Sequence, residues 1–231
     1  MALAADAVST INNNAAGPST TTHTCTGSNR LLVVCLAFYH SSAFVSALTY
    51  NGVALTFFDA FSDFQQYNSE IWYLVAPATG ANTLSITFSG GVFGMGLTAI
   101  SFTGADQSTP LSAFTSASGT STTPSIAVSS AADQIVVDSL CITHSGTLAV
   151  GASQTERANF ISNSGTIKHG ASTEPGVAST TMDWSNSSSQ GWVLSGAAVM
   201  PASGSPAGQP LVKRYAGIPH MKYGNQFSGV W

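Results

Sequence analysis

The hydrophobic pattern along this chain has the short periods of β-strands. Residues 83–88 place Leu84, Ile86 and Phe88 on one face and small polar side chains on the other, which is typical of a half-buried strand. Residues 30–39 form a continuous apolar run and predict a strand that is buried on both faces. No segment keeps the 3.6-residue period of a helix, so we expect little helix.

Short apolar runs separated by turn residues continue this pattern up to residue 200. Asn51 and Gly52 lie between two such runs, and Asn-Gly is a strong hairpin signal because both residues tolerate positive φ. Roughly ten strands, about 8–15 residues apart, are predicted, including 134–143 and 191–200. The predicted fold is all-β: an antiparallel two-sheet sandwich with jelly-roll-like connections and extended N- and C-terminal arms.

The composition divides the chain into four segments. Residues 1–24 are small and polar and predict an N-terminal arm or an irregular first strand. Residues 25–200 hold the predicted strands and form the β-sandwich domain. Residues 201–210 are a Pro/Gly/Ser linker, and residues 211–231 return to aromatic and basic residues as a C-terminal docking arm.

The docking arm combines large apolar side chains with bases but has no strand or helix period. Soluble monomers rarely expose so much apolar surface, so we expect the arm to pack on another protein surface or, alternatively, across its own sandwich. Buried aromatics should dominate the binding energy, while the bases meet acidic groups and tune the encounter. The predicted interface residues are Leu211, Lys213, Arg214, Tyr215, Ile218, Met221, Lys222, Tyr223, Phe227 and Trp231.

Charged residues are scarce. They make up 7% of the chain, against about 25% in an average soluble domain. All ten acids lie before residue 201, together with three of the six bases, so a mildly acidic body is followed by a basic end. General acids, hard-metal ligands and phosphate clamps are drawn from charged groups, so the composition argues against an enzyme. Three bases are too few to indicate nucleic-acid binding.

Targeting signals and disulfides are not predicted either. The first residues lack the basic and apolar regions of a signal peptide, and no apolar run has the roughly 18–20 residues of a membrane helix. Cys25, Cys35 and Cys141 are odd in number and contain no C-x-x-C pair. We therefore expect buried free thiols and synthesis in a reducing cytosol.

No motif for a catalytic, cofactor-binding or metal site is present. The chain has no P-loop, nucleophile elbow or dinucleotide fingerprint, and its histidines form no local ligand pair. We therefore predict no cofactor, and each histidine is interpreted as a loop or strand-end residue. These histidines are His23, His40, His144, His169 and His220.

The densest acidic cluster is Asp59, Asp63 and Glu70, which we place in an exposed connection between two strands. Solvated loop acids, cation binding and catalysis are its three interpretations. Aromatic residues surround it and serve a sugar site, an interface or the core. They are Phe57, Phe58, Phe61, Phe64 and Tyr67, and Trp184 and Trp192 have the same alternatives.

Three segments carry a resemblance to a known class of protein: GSNRLLVVCLAF, LTYNGVALT and SEIWYLVAPATGANTLSITFSG. Their succession, within about residues 25–105, resembles a β-sandwich of tailed-bacteriophage virion proteins and related bacterial surface proteins. The closing YGNQFSGVW is similar to the aromatic, glycine-rich C-termini of phage structural proteins. The resemblance implies no catalytic residues.

The same resemblance implies assembly on a virion after synthesis in a host cytoplasm. We expect a capsid cement or decoration protein that binds the major capsid protein or another virion protein through its arms and forms a homo-oligomer. The alternative is a head or tail fibre protein that recognises a host-surface glycan. A polysaccharide-degrading enzyme is the third hypothesis, and the scarcity of carboxylates makes it the weakest.

Overall fold

The computed structural model describes residues 1–13, 17–40, 42–63 and 66–203. These residues form seventeen strands and no helix, so none of them provides a helix that could span a membrane. All strand pairs are antiparallel. The strands are β1 (Ala4–Asn12), β2 (Ser19–Cys25), β3 (Leu31–Tyr39), β4 (Val45–Tyr50), β5 (Val53–Ala54), β6 (Thr56–Ser62), β7 (Tyr67–Val75), β8 (Gly80–Phe88), β9 (Gly94–Thr103), β10 (Leu111–Ser121), β11 (Ser125–Ser129), β12 (Ile135–Thr143), β13 (Leu148–Val150), β14 (Thr155–Ile161), β15 (Ile167–Pro175), β16 (Ser179–Asn186) and β17 (Gln190–Val199).

The first nine strands make one jelly-roll sandwich. Its inner sheet has the strand order β1-β9-β3-β7-β6, and its outer sheet has the order β2-β8-β4-β5. Most strands that are consecutive in the chain thus lie in different sheets, and only β4–β5 and β6–β7 are consecutive within one sheet, as in the Greek-key connections of a jelly roll. We call this the first sandwich.

Strands β10–β17 repeat the same topology in a second sandwich. The inner sheet has the order β10-β17-β12-β15-β14, and the outer sheet has the order β11-β16-β13. Each strand of the second sandwich has an equivalent in the first, and only β5 has no counterpart. The described part of the chain is therefore an internal duplication of one jelly roll.

The two inner sheets pack face to face. Strand β3 contacts its own equivalent β12, β7 contacts β17, and β9 contacts β15. Because β7 is equivalent to β15 and β9 is equivalent to β17, the β7–β17 and β9–β15 contacts are equivalent to each other. The sandwiches are thus related by an approximate two-fold axis along the strands, as two subunits of a symmetric dimer would be.

Polar contacts across this interface obey the same symmetry. Ser69 pairs with Ala37 in the β3–β7 ladder, and His169 pairs with Cys141 at the equivalent position of the β12–β15 ladder. Thr98 and Ser195 are equivalent in the same way. The hydroxyls of Ser69 and Ser195 are 2.5 Å apart, and the equivalent pair, Thr98 Oγ1 and His169 Nε2, is 2.9 Å apart.

Three apolar layers lie between the four sheets. One fills each sandwich, built around Leu36 and Leu84 in the first and around Trp184 and Leu194 in the second. The third lies between the inner sheets and joins residues of both sandwiches, among them Val33 and Val137. Inner-sheet strands are therefore covered on both faces, which explains their continuous apolar runs.

The predicted fold class is confirmed: the protein is all-β, with antiparallel sheets packed as sandwiches. Strand β3 is buried on both faces, and Leu84, Ile86 and Phe88 are the buried positions at the end of β8. Asn51 and Gly52 have φ values of 50° and 76° and join β4 to β5. All three cysteines are free and buried, as expected.

The segment boundaries differ from the prediction in two places. Residues 1–24 hold two strands, β1 and β2, where an arm or an irregular first strand was expected. These strands have few apolar residues because β1 is an edge strand with one face largely exposed. Residues 25–200 hold parts of two sandwiches, and the division falls between β9 and β10. The predicted linker at 201–210 and the docking arm lie almost wholly outside the described residues.

Gly96 provides a test of the interface between the inner sheets. A Cβ atom on this residue of β9 would lie 2.3 Å from the Cβ of His169 on β15. We expect Gly96→Ala to lower the free energy of unfolding by about 1–3 kcal/mol, because one sheet has to move away from the other. Urea denaturation measures this. Gly91→Ala is the control, since no atom lies within 4 Å of its Cβ position; equal stability of the two variants would contradict the close approach.

Candidate functional site

The three predicted acids do not lie together in one exposed connection. Asp59 is exposed on β6, Asp63 lies in the turn after β6, and Glu70 is on β7. Asp63 Oδ1 accepts a hydrogen bond from Tyr67 N at 3.1 Å, which closes the turn. Glu70 Oε2 accepts one from Trp72 Nε1 at 2.7 Å, and burial raises the pKa of this carboxyl. Asp63 and Glu70 thus each have a local structural partner.

The aromatic residues around these acids serve mostly as core. Phe58 packs between the inner sheets, with its ring 6.2 Å from that of Phe114. Phe61 and Tyr67 pack against the same interface nearer its edge. Phe57 is 47% exposed, and Phe64 lies outside the described residues.

Each described histidine has a local structural partner. His23 contacts Ser9, His40 binds the backbone of its own turn, His144 contacts Gly165, and His169 is fixed between the inner sheets. No group of three or more His, Cys, Asp or Glu residues that could hold a metal occurs among the described residues. The predicted His220 is not among them.

A buried carboxylate, Asp138 on β12, is the main polar site that the sequence analysis missed. Its Oδ1 accepts hydrogen bonds from Ser172 N at 2.6 Å and Ser172 Oγ at 2.8 Å, and its Oδ2 accepts one from Trp184 Nε1 at 2.7 Å. Gln154 Nε2 donates to Ser172 Oγ and extends the network. Burial raises the pKa of Asp138 to about 6, although all three donors lower it.

This network fixes Trp184 in the core of the second sandwich, so the role of that tryptophan is structural. Trp192 has a similar role, since its Nε1 donates to Ser121 Oγ at 2.9 Å and its ring is largely buried. The signal in the sequence was Asp138 itself, a single acid inside the apolar run 135–142. A buried acid is stable there only because three donors converge on it.

The body has two distinct ends, because every inner strand runs from one to the other. At the aromatic end, which we define by Tyr39, His40, Phe44, Tyr67 and Phe93, β3 finishes and β7 and β9 begin. The ring of Phe93 lies 5.3 Å from that of Tyr39 and stacks on His40 at 5.4 Å. Phe93 is 51% exposed and Phe44 is 63% exposed.

Hydrogen bonds hold this exposed aromatic group in place. His40 Nδ1 accepts bonds from the backbone N–H groups of Ser42 and Ala43, which fixes the turn after β3. Thr166 Oγ1 donates to the carbonyl of Phe93 at 3.0 Å and ties the second sandwich to the first. The aromatic end is therefore a rigid surface to which both sandwiches contribute.

At the opposite end, which we call the exit end, the described chain begins and finishes. Ala105 pairs with Pro201, and Ala202 N donates to Gly104 O at 2.7 Å. Beside Pro201 lies a cavity of about 390 Å³ with a mainly apolar lining that includes Leu3 and Ile135 and one acid, Asp133. Residues 204–231 follow directly from this end of the body.

The predicted interface residues of the docking arm all lie outside the described residues, from Leu211 to Trp231. Their role stays a prediction. The structure adds the point from which the arm starts.

Comparisons with protein-family models, curated proteins and solved structures found no match.

Proposed function

We propose that the chain is a structural protein of a bacteriophage particle, a capsid cement or decoration protein that binds a preformed shell through residues 204–231. The observation that carries the proposal is that exposed aromatic side chains lie at one end of the described body, while the residues that lead into the predicted docking arm lie at the other end. Such a body joins two surfaces or covers one of them.

Two further features support this role. Each half of the body is a jelly roll, an architecture that occurs in viral capsid proteins as well as in lectins and cupins. The two sandwiches share a buried core, so the described residues form one body rather than two linked domains. Fold alone does not fix function, and the argument therefore rests on where the contact surfaces lie.

Charge supports the same attachment. Residues 204–231 hold three bases and no acid, whereas the ten acids lie in the body. Asp133 is exposed and Asp106 is half-buried at the exit end, so an arm from a neighbouring copy finds acidic groups there. A homo-oligomer linked by arms on the capsid surface is the assembly that we propose.

The alternative, a fibre protein that recognises a glycan, is favoured by the aromatic end. Exposed rings held on a rigid scaffold suit sugar binding, and jelly rolls also occur in lectins. The third hypothesis, a polysaccharide-degrading enzyme, has less support because Asp63 and Glu70 have structural partners. We expect no hydrolase activity.

Removal of residues 204–231 tests the attachment. We expect the protein ending at Ser203 to melt within about 2 °C of the full chain, because all three cores lie in the described body. Its binding to virions of the phage that encodes it should fall by at least about tenfold. Sedimentation with purified virions measures binding, and mass spectrometry gives the copy number.

The matched control is the full chain with Phe44→Ser and Phe93→Ser. This variant keeps the arm and alters only the aromatic end, so attachment through residues 204–231 should be unchanged, and only a contact of the aromatic end with a second surface should be lost. Full occupancy by the truncated protein would contradict the cement proposal. Loss of glycan binding in the double variant, together with a handful of copies per virion, would favour the fibre alternative.

A further inference from the structure

A groove in the second sandwich contains a buried lysine without a counter-ion. Lys168 on β15 is only 7% exposed, and its Nζ donates one hydrogen bond, to the carbonyl of Gly146. An ammonium group has three donors, so two are not used by the described residues. No ion pair joins Lys168 to a carboxylate within the part of the chain that the structure describes, and an uncompensated buried charge is costly.

The groove has a defined place in the fold. Strand β14 is the open edge of the inner sheet, and β13 is the open edge of the outer sheet. In the first sandwich, β5 extends the outer sheet beyond β4, but the second sandwich has no equivalent strand. The space between β13 and β14 is therefore open, and it forms a groove of about 300 Å³ with Lys168 in its lining.

The equivalent position of the first sandwich shows that the jelly-roll topology does not require a lysine there. Lys168 lies opposite Ile142, and the equivalent residue, Asn68, lies opposite Phe38. The amide of Asn68 donates to the carbonyls of Phe38 and Gln66 and carries no charge. The jelly roll is thus built with a neutral side chain at this position in one half and with a cation in the other.

The remaining walls combine polar and apolar groups. Asn159 Nδ2 donates to Leu148 O at 2.9 Å and to Glu156 Oε2 at 3.0 Å, so the amide is fixed across the groove. Its Oδ1 accepts no hydrogen bond from the described residues. Ile161 is 42% exposed and supplies an apolar wall, while the Thr147 hydroxyl supplies a further polar group.

We propose that this groove binds the carboxylate of a sugar acid, such as a uronic acid unit of a surface polysaccharide. The carboxylate supplies the charge and the acceptors that Lys168 lacks. Ring hydroxyls bond to Asn159 and Thr147, and the apolar face of the ring covers Ile161. The volume suits one sugar unit. The groove lies in the second sandwich, at the end of the body where Thr166 bonds to the Phe93 carbonyl.

The test is a titration of the full chain with sodium glucuronate, followed by amide chemical shifts in two-dimensional NMR. Glucose and acetate are the control ligands, since each has only half of the proposed chemistry. We expect saturable shifts at Thr147, Asn159 and Ile161 with glucuronate, none with glucose and at least about tenfold weaker binding of acetate. No binding of glucuronate overturns the proposal, and equal affinity for acetate overturns the sugar part and leaves an acidic peptide as the ligand class.

Two variants test the residues. Lys168→Asn copies the first sandwich and should weaken glucuronate binding by at least about 30-fold. Ile161→Asp, at an exposed position, places a carboxylate beside Lys168 and should block binding even if Lys168→Asn does not fold. Ile161→Ser copies the equivalent Ser62 and is the matched control, with a loss of only a few-fold. Unchanged binding in Ile161→Asp contradicts the site.

Discussion

Replacement of Asp138 by alanine should lower the free energy of unfolding by about 2–4 kcal/mol at neutral pH. The carboxylate accepts hydrogen bonds from Ser172 N, Ser172 Oγ and Trp184 Nε1. Its removal leaves two N–H groups buried without an acceptor, and each such group costs about 1–3 kcal/mol. Relief of the buried charge offsets part of this loss.

Thermal unfolding followed by circular dichroism measures the effect. For a protein of this size, the loss corresponds to a melting temperature lower by about 5–15 °C. Asp133→Ala is the matched control, because Asp133 is exposed and should change stability by less than about 0.5 kcal/mol. A stability of Asp138→Ala equal to that of the control would mean that the three donors find other partners.

The equivalent positions of the first sandwich show why this effect is specific. Val34 is equivalent to Asp138, and Trp72 is equivalent to Ser172, so an apolar pair fills the same place there. The jelly roll can hold either an apolar pair or a hydrogen-bonded carboxylate at this place. Alanine at 138 gives neither the acceptor oxygens of one half nor the apolar volume of the other.

The strands could be predicted because their signals are local. Alternation at 83–88 and the Asn51-Gly52 turn depend only on neighbours in the sequence, and both are present in the structure. The runs at 30–39, 134–143 and 191–200 were predicted as strands, and all three lie in the inner sheets. A two-sheet sandwich covers only one face of each strand, so these continuous runs already indicated more than two layers.

The duplication could not be predicted in the same way, because the two halves share strand order and pairing register rather than a local sequence pattern. Equivalent residues differ in kind: Val34 corresponds to Asp138, and Asn68 corresponds to Lys168. Residues that differ this much carry no repeat signal at such positions. The equivalence becomes visible only when the pairing partners of each strand are known.

The candidate sites could not be predicted from local sequence patterns either. The groove at Lys168 forms because β13 and β14 are both sheet edges, and the aromatic end forms because Tyr39 and Phe93 lie at the ends of neighbouring strands. These contacts depend on tertiary structure. The docking arm was predicted from composition alone and stays a prediction.

The pH dependence of stability should be divided between two buried groups with opposite effects. His169 lies between the inner sheets, where burial lowers its pKa from 6.5 to about 4. The unfolded chain therefore takes up a proton on His169 before the folded chain does, as pH falls. The stability that comes from neutral His169 is complete above pH 6.5 and is lost between pH 6.5 and about 4, by about 3 kcal/mol in total.

Asp138 acts in the other direction. Its pKa rises from 3.8 to about 6 on folding, so the folded chain takes up this proton first. The cost of the buried charge is complete above about pH 6 and is relieved between pH 6 and 3.8, again by about 3 kcal/mol. Between about pH 6 and pH 4 the two contributions nearly cancel in the natural protein.

Single variants should expose the two components. Asp138→Asn keeps an acceptor but does not titrate, so its stability relative to the natural protein should fall by about 3 kcal/mol as pH decreases from 7 to 4. His169→Gln does not titrate either, and its relative stability should rise by a similar amount over the same interval. Urea denaturation at several pH values measures both differences, and His144→Gln, at an exposed position, is the control. Parallel curves for all three variants would show that neither buried group changes its proton affinity on folding, whereas divergence in opposite directions would place the acid response of the fold at Asp138 and His169.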